Sequence, residues 1–229
     1  MALFSLSKFR SSLETHIPDP VVCVIDHDVL MRTRLKELFE SVGLKVLLFD
    51  SPAAFLQSDM NACSCVVLDV LLPEMSGVRL QEELSKRDIR IPMVFVSGSG
   101  EAATAVRAMK AGAVDFFTKP VADHEMLDAV FAALERDRER RRKEASLAAL
   151  RDGFTSLSTR ERQVLLAVVS GKLNKQVAAE LGVSEVMVKV HRSKGMRKMH
   201  VTSLTDLVRA IDQFSGTATP SQAGQPHHD

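Results

Sequence analysis

Asp69 is the one charged residue in an apolar run, CVVLDVLLP, at residues 65–73. Cys65-Val66-Val67-Leu68 is rich in β-branched residues and too short for a helix. It reads as a buried strand of a parallel sheet that ends at the carboxylate. Asp26-His27-Asp28 follows a second apolar run at residues 21–25, and Ser97 and Lys119 close two others. A carboxylate is a poor nucleophile until its electrophile is activated and the charge between them is neutralised. A divalent metal on acidic oxygens, a lysine ammonium and a hydroxyl would together allow Asp69 to take up a phosphoryl group. Each residue alone is at least as readily a strand end, a helix cap, a turn hydroxyl or a surface lysine. The chemistry requires one sheet to bring their ends together.

The chain supplies such a sheet. Residues 21–25, 46–49, 65–68, 92–96 and 114–117 read as strands. Helical stretches separate them: one capped by Asp28, with Leu35, Leu38, Phe39 and Val42 on one face, then others from Ser51-Pro52, at 78–86, at 101–111 and from 123 to about 134. Residues 73–77 read as a turn. This alternation predicts a flavodoxin-like (βα)5 fold of the α/β class, with strand order 2-1-3-4-5 and helices on both faces. Its crevice lies at the carboxyl ends of strands one and three. That rule sets Asp26, His27 and Asp28 beside Asp69, with Ser97 and Lys119 at the same edge.

Charge divides the chain. Residues 1–134 carry 13 Lys+Arg against 18 Asp+Glu, net −5, and residues 135–229 carry 17 against 11, net +6. An acidic first part and a basic second part point to two domains with different partners, the basic one a candidate for nucleic acid. Residues 135–153, including ERDRERRRKEA, read as a charged helical linker with a solvated face. Residues 154–214 read as four short helices. Ser158 and Glu161 form a capping-box pattern, and Gly182 turns the chain before a basic helix that Ser184 caps. Helix, glycine turn and basic helix make a helix-turn-helix pattern, whose second helix can enter the major groove. An extension at 1–20 and a disordered tail at 215–229 flank the two domains. No apolar run approaches the ~18 residues of a membrane span, and the first residues lack a signal-peptide pattern. Cys23, Cys63 and Cys65 read as two buried thiols and one loop thiol of a reducing cytosol. A cytoplasmic protein is expected.

Four segments, VCVIDHD, CVVLDVLLPEMSG, PMVFVSGSG and AMKAGAVDFFTKP, resemble the receiver domain of bacterial two-component response regulators over residues 21–134. LSTRERQVL, GKLNKQVAAELGVSEVMVKVHRSKGMRKM and SLTDLVRAI resemble the LuxR-type helix-turn-helix domain over residues 154–214. Together they resemble the NarL/FixJ class, nearest its FixJ side. The resemblance makes Asp69 the phosphoacceptor, Ser97, Phe116 and Lys119 the switch residues, and Lys119-Pro120 a cis peptide. It implies Mg2+ on Asp26, Asp28, Asp69 and the Leu71 carbonyl. It makes Val188, Lys189, Arg192 and Lys194 groove contacts, and Asn174, Lys175, Arg197 and Lys198 phosphate contacts.

Two departures stand out. The family's second acid after strand one is His27 here. An imidazole is a poorer Mg2+ ligand than a carboxylate and suits softer metals, so weak Mg2+ dependence is expected. Gly195 stands where the family has an aliphatic core residue; it should cost about 1 kcal/mol of helix propensity and forfeit about 1.5–3 kcal/mol of burial. The expected protein is not an enzyme. It is a DNA-binding transcription regulator controlled by a partner histidine kinase, acting as a homodimer, with RNA polymerase a further conceivable partner and no membrane. A regulator that does not use phosphorylation is the alternative. A flavodoxin-like enzyme or ligand module is a third, though the nearest glycine loop, Ser97-Gly98-Ser99-Gly100, follows strand four instead of strand one.

Overall fold

The computed structural model describes residues 19–98 and 102–216. The expectations for most of the N-terminal extension, for Ser99-Gly100 and for nearly all of the tail lie outside them. Strands β1 (Val21–Ile25), β2 (Lys45–Phe49), β3 (Cys65–Asp69), β4 (Met93–Ser97) and β5 (Asp115–Thr118) form one parallel sheet in the order β2-β1-β3-β4-β5. Helices α1 (Val29–Ser41), α2 (Pro52–Leu56), α3 (Gly77–Lys86), α4 (Ala102–Lys110) and α5 (Asp123–Thr155) follow the strands in turn.

Strand side chains alternate between faces. Cys23, Ile25, Val66, Leu68, Met93 and Phe95 pack with Phe55 of α2, Leu80 and Leu84 of α3 and Ala108 of α4. Val22, Val24, Cys65, Val67, Val94 and Val96 pack with Leu35 and Phe39 of α1 and Met126 and Val130 of α5. Both faces are covered, so β3 and β4 are buried throughout and read as continuous apolar runs. All three cysteines are buried, including Cys63 in the loop before β3. Burial and the neighbouring Cys23 push the Cys63 thiol far up, which keeps it unreactive.

The charged run differs from expectation in a specific way. No glycine or proline interrupts residues 123–152, so α5 continues to Thr155. Asp137 within it is buried and binds the guanidinium groups of Arg140 and Arg141. Arg141 also donates to the carbonyls of Asn61 and Cys63, each at 2.8 Å. This part of the run is therefore a buried ion-pair anchor on the sheet domain, where a solvated face was expected.

The contacts separate into two compact units, residues 1–142 and 143–229. The second contains the end of α5, then α6 (Thr159–Val169), α7 (Asn174–Leu181), α8 (Glu185–Lys198) and α9 (Leu204–Gly216). Leu150 and Phe154 pack with Leu157, Leu165, Met199 and Leu207. Val164, Val168, Val177, Ala178 and Val188 form a second cluster. Ser158 and Glu161 complete the expected capping box on α6. Glu161 is also paired with Lys198 at 2.7 Å. That partner and the Ser158 N–H hold its carboxyl down at about 2, well below the usual 4.5. Glu161→Ala removes the box and leaves Lys198 with only the Ser156 carbonyl, and should cost about 2 kcal/mol of this unit's stability at neutral pH. The stabilisation from ionised Glu161 is present above the unfolded carboxyl range and is lost as pH falls toward its depressed pKa. The gap between wild type and variant in thermal unfolding should therefore narrow from pH 5 to pH 2; a gap that stays constant contradicts the assignment.

Candidate functional site

Asp26 follows β1, and Asp69 is the last residue of β3. Ile25 pairs with Leu68 and Asp69 with Val96, which fixes both carboxylates at one edge of the sheet. Both are buried, at 2% and 4% exposure. Their oxygens are individually committed. Asp26 Oδ1 accepts the Asp28 N–H at 2.8 Å, and Asp69 Oδ1 accepts the Leu71 N–H at 3.1 Å. Lys119 Nζ lies between the two acids, 2.8 Å from Asp26 Oδ2 and 3.1 Å from Asp69 Oδ2. Burial opposes the ammonium, but its hydrogen bonds to both aspartates and their charges outweigh it, and the Lys119 pKa is raised. Lys119 thus stays charged. The cis peptide expected at Lys119-Pro120 is present, and the Lys119 N–H donates to the Ser97 carbonyl at 2.7 Å.

His27 Nδ1 lies 3.7 Å from both Asp26 Oδ1 and Asp69 Oδ2. That is beyond a hydrogen bond, and the imidazole is 52% exposed. Asp26, His27 and Asp69 offer ligand atoms within 4.8 Å of one another. The donor set suits a divalent ion, with the oxygen count of a magnesium site reduced by one carboxylate. Asp28 does not belong to this cluster, which corrects its assignment to the acidic pocket. Its carboxylate turns to the N-terminus of α1 and accepts the Leu30 N–H at 2.8 Å. Ser97 is buried at the end of β4. Phe116 is half-buried and stacked on Phe95 with centroids 6.2 Å apart.

Two residues given no site role by the sequence reading support the acids. Arg32 of α1 donates to the Asp26 carbonyl at 2.6 Å. Gly77 opens α3 against the end of β3: a Cβ there would lie 2.5 Å from the Asp69 carbonyl oxygen. Arg32 stands six residues after Asp26 in a helical stretch, which gives no local signal, and Gly77 reads simply as a turn glycine.

The second site is the helix pair α7–α8. Gly182, with φ 65°, makes the turn and Ser184 caps α8. Lys189, Lys194 and Arg197 are exposed on α8, Arg192 is half-buried, and Lys175 and half-buried Asn174 open α7. Val188 is 0% exposed and packs on Val164, Val168 and Val177, so it cannot meet a base edge. This corrects its expected role. At 100° per residue its opposite pole carries Val186 and Val190, and both are exposed. Apolar side chains there can meet thymine methyl groups. Lys198, expected on a phosphate, is held by Glu161 and by the Ser156 carbonyl at 2.9 Å. Gly195 is buried, and Leu165 of α6 packs directly against it. A Cβ there would lie 2.9 Å from Leu165 Cδ1.

A five-stranded parallel receiver-type sheet with a buried acid–lysine cluster, followed by a helix-turn-helix, defines a signal-receiving, DNA-binding class of protein. Comparisons with known proteins agree. The response regulator receiver domain family matches residues 22–131, and the luxR family of bacterial regulatory proteins matches residues 155–211. Nodulation protein W of Bradyrhizobium diazoefficiens is 47% identical over 206 residues, 90% of this chain and 91% of that protein. Response regulator protein TodT of Pseudomonas putida is 46% identical over 85% of this chain and 86% of its own length. The structure of the response regulator StyR matches with TM-score 0.78 and 41% identity, over 86% of this chain and all of that one. The chain belongs to the two-component response regulators of the NarL/FixJ class and is a DNA-binding transcriptional regulator. Among the described residues, no helix is long and apolar enough to cross a membrane.

Proposed function

We propose that Asp69 accepts a phosphoryl group from the phosphohistidine of a partner kinase, and that this modification controls DNA binding by the α7–α8 pair. One carboxylate oxygen forms the new O–P bond. The P–N bond of the donor breaks, and its electron pair returns to the donor imidazole, which takes a proton. Lys119 carries the reading: its ammonium contacts Asp69 and Asp26 together, so it can follow charge as it moves onto the phosphoryl oxygens. A divalent ion, held by Asp26, Asp69, His27 and the Leu71 carbonyl, would neutralise phosphoryl charge during transfer. Mg2+ is the ion the family implies, and the loss of one acid at His27 supports weak dependence on it.

Ser97 and Phe116 are the switch residues of this reading. A modified Asp69 would bias them between two states and favour a homodimer on paired DNA half-sites. Lys189, Arg192, Lys194, Val186 and Val190 would face the groove. Asn174, Lys175 and Arg197 would meet phosphates, and Lys198 would do so only if it left Glu161. The absence of a membrane-spanning helix among the described residues supports a cytoplasmic regulator. Acetyl phosphate followed by Phos-tag electrophoresis, with DNA affinity and oligomeric state measured in parallel, tests the proposal. Wild type should shift, dimerise and bind DNA more tightly, and Asp69→Asn should do none of these. Labelling that survives Asp69→Asn overturns the acceptor assignment. Labelling without any change in DNA binding favours the second reading, a regulator that does not use the switch.

A further inference from the structure

We propose that the Asp26–His27–Asp69 cluster is selective for a first-row transition ion, Co2+ more than Mn2+, over Mg2+, with His27 as its nitrogen ligand. This deepens the acceptor reading above and rests on it for the role of the ion. Three features of the cluster carry it.

The first is position. His27 Nδ1 is 3.7 Å from one oxygen of each aspartate, too far for a hydrogen bond to either. The ligand atoms of all three residues lie within 4.8 Å of one another. Opposite donors on one ion are separated by roughly 4.2–4.4 Å, twice a bond of ~2.1–2.2 Å, so a small rotation of the half-exposed imidazole closes the set.

The second is charge. Two carboxylates face one ammonium, Lys119, which already contacts an oxygen of each. Before any ion enters, an unprotonated cluster carries a net charge of about −1, from two carboxylates and one ammonium. A third carboxylate in place of the imidazole would make it −2. Mg2+ gives up water reluctantly and is held mainly by carboxylate charge. It gains little from a neutral nitrogen donor, whereas affinity for nitrogen rises along the first transition row.

The third is that, among the described residues, no further acid joins the cluster. Asp28 is exposed, but its carboxylate caps α1 through the Leu30 N–H. Asp26 is tied down by Arg32 on its carbonyl and by the Asp28 N–H on Oδ1. The replacement of acid by imidazole therefore changes the chemistry of the site and leaves its frame intact.

Calorimetric titration of the metal-free full-length chain with Mg2+, Mn2+ and Co2+ tests the proposal, on wild type, His27→Asp and His27→Ala. The wild type should favour Mn2+ and Co2+ over Mg2+ by about tenfold more than His27→Asp does. Pulsed EPR of the Mn2+ complex should show nitrogen coupling that His27→Ala removes. Thiols and tail histidines are common to all three chains and cancel in the comparison, and circular dichroism checks that each variant is folded. Equal ion preference in wild type and His27→Asp, or nitrogen coupling that survives His27→Ala, overturns the proposal. Acetyl phosphate labelling with each ion keeps the two readings apart. Labelling of Asp69 with unchanged selectivity defeats only the metal assignment, and altered selectivity without labelling under any ion defeats only the acceptor assignment.

Discussion

Gly77→Ala is expected to slow phosphoryl transfer to the proposed acceptor Asp69 by about 10²-fold, although residue 77 has no side chain to offer the site. The added methyl would sit 2.5 Å from the Asp69 carbonyl oxygen, 3.0 Å from Leu68 Cδ1 and 3.2 Å from Phe95 Cε1. None of these yields easily. Leu68 and Phe95 are core residues, and the oxygen is backbone. Gly77 is also pinned in place, because its N–H donates to the Val70 carbonyl at 2.9 Å and Ser76 caps the helix it opens. The clash must push α3 away or move the end of β3. Either displaces Asp69 relative to Asp26 and Lys119, and a misplacement of about 1 Å at a reacting group costs on the order of 10² in rate. Overpacking should also lower stability by about 1–3 kcal/mol. Labelling rates with acetyl phosphate, taken on protein shown to be folded, check the prediction. A wild-type rate would mean that the acceptor tolerates movement of its own strand end.

Local signals explain what was legible before the structure. Short apolar runs at 21–25 and 65–68, each closed by an aspartate, specify strands by length and composition, and alternation with helices then specifies the sheet order. Strand ends in such a sheet share one edge, so Asp26, Asp69 and Lys119 came together in one step. What escaped depends on approach between segments. Gly77 is demanded by the meeting of α3 with β3, which no local pattern encodes. Arg141 reaches back to Asn61 and Cys63, so its charge run carried no sign of burial. Asp28 was ambiguous from the start, with cap and ligand equally available to an acid in that place, and the Leu30 N–H decides for the cap. Val188 was misplaced for another reason. The motif identifies the recognition helix, but its rotation about its own axis is set by which residues are buried. Val188, Gly195 and Met199 form the buried stripe at spacings of seven and four. That phase turns Val186 and Val190 outward.

Gly195 gives the sharpest contrast between composition and packing. Helix propensity and burial both favour an aliphatic residue there, so Gly195→Ile looks stabilising from sequence. The structure reverses the sign. The first added carbon would lie 2.9 Å from Leu165 Cδ1 and 3.1 Å from Leu165 Cγ, and Leu165 is itself buried. Met199 and half-buried Met196 belong to the same cluster, so a displaced Leu165 would press on packed neighbours. Overpacking typically costs about 1–3 kcal/mol, while replacing glycine in a helix recovers only about 0.5 kcal/mol for a β-branched residue. Gly195→Ile should therefore destabilise the second unit by about 2 kcal/mol, with weaker DNA binding because α8 is pushed off α6. Gly195→Ala should show a smaller effect of the same sign. Shortening the opposing side chain tests the cause directly: in a Leu165→Ala background the clash is gone, and Gly195→Ala should become neutral or stabilising. That coupling separates a steric origin from a generic intolerance of the site, since two independent substitutions would simply add. A rise in melting temperature for Gly195→Ile in the otherwise wild-type chain would show instead that the close helix approach is not what the glycine serves.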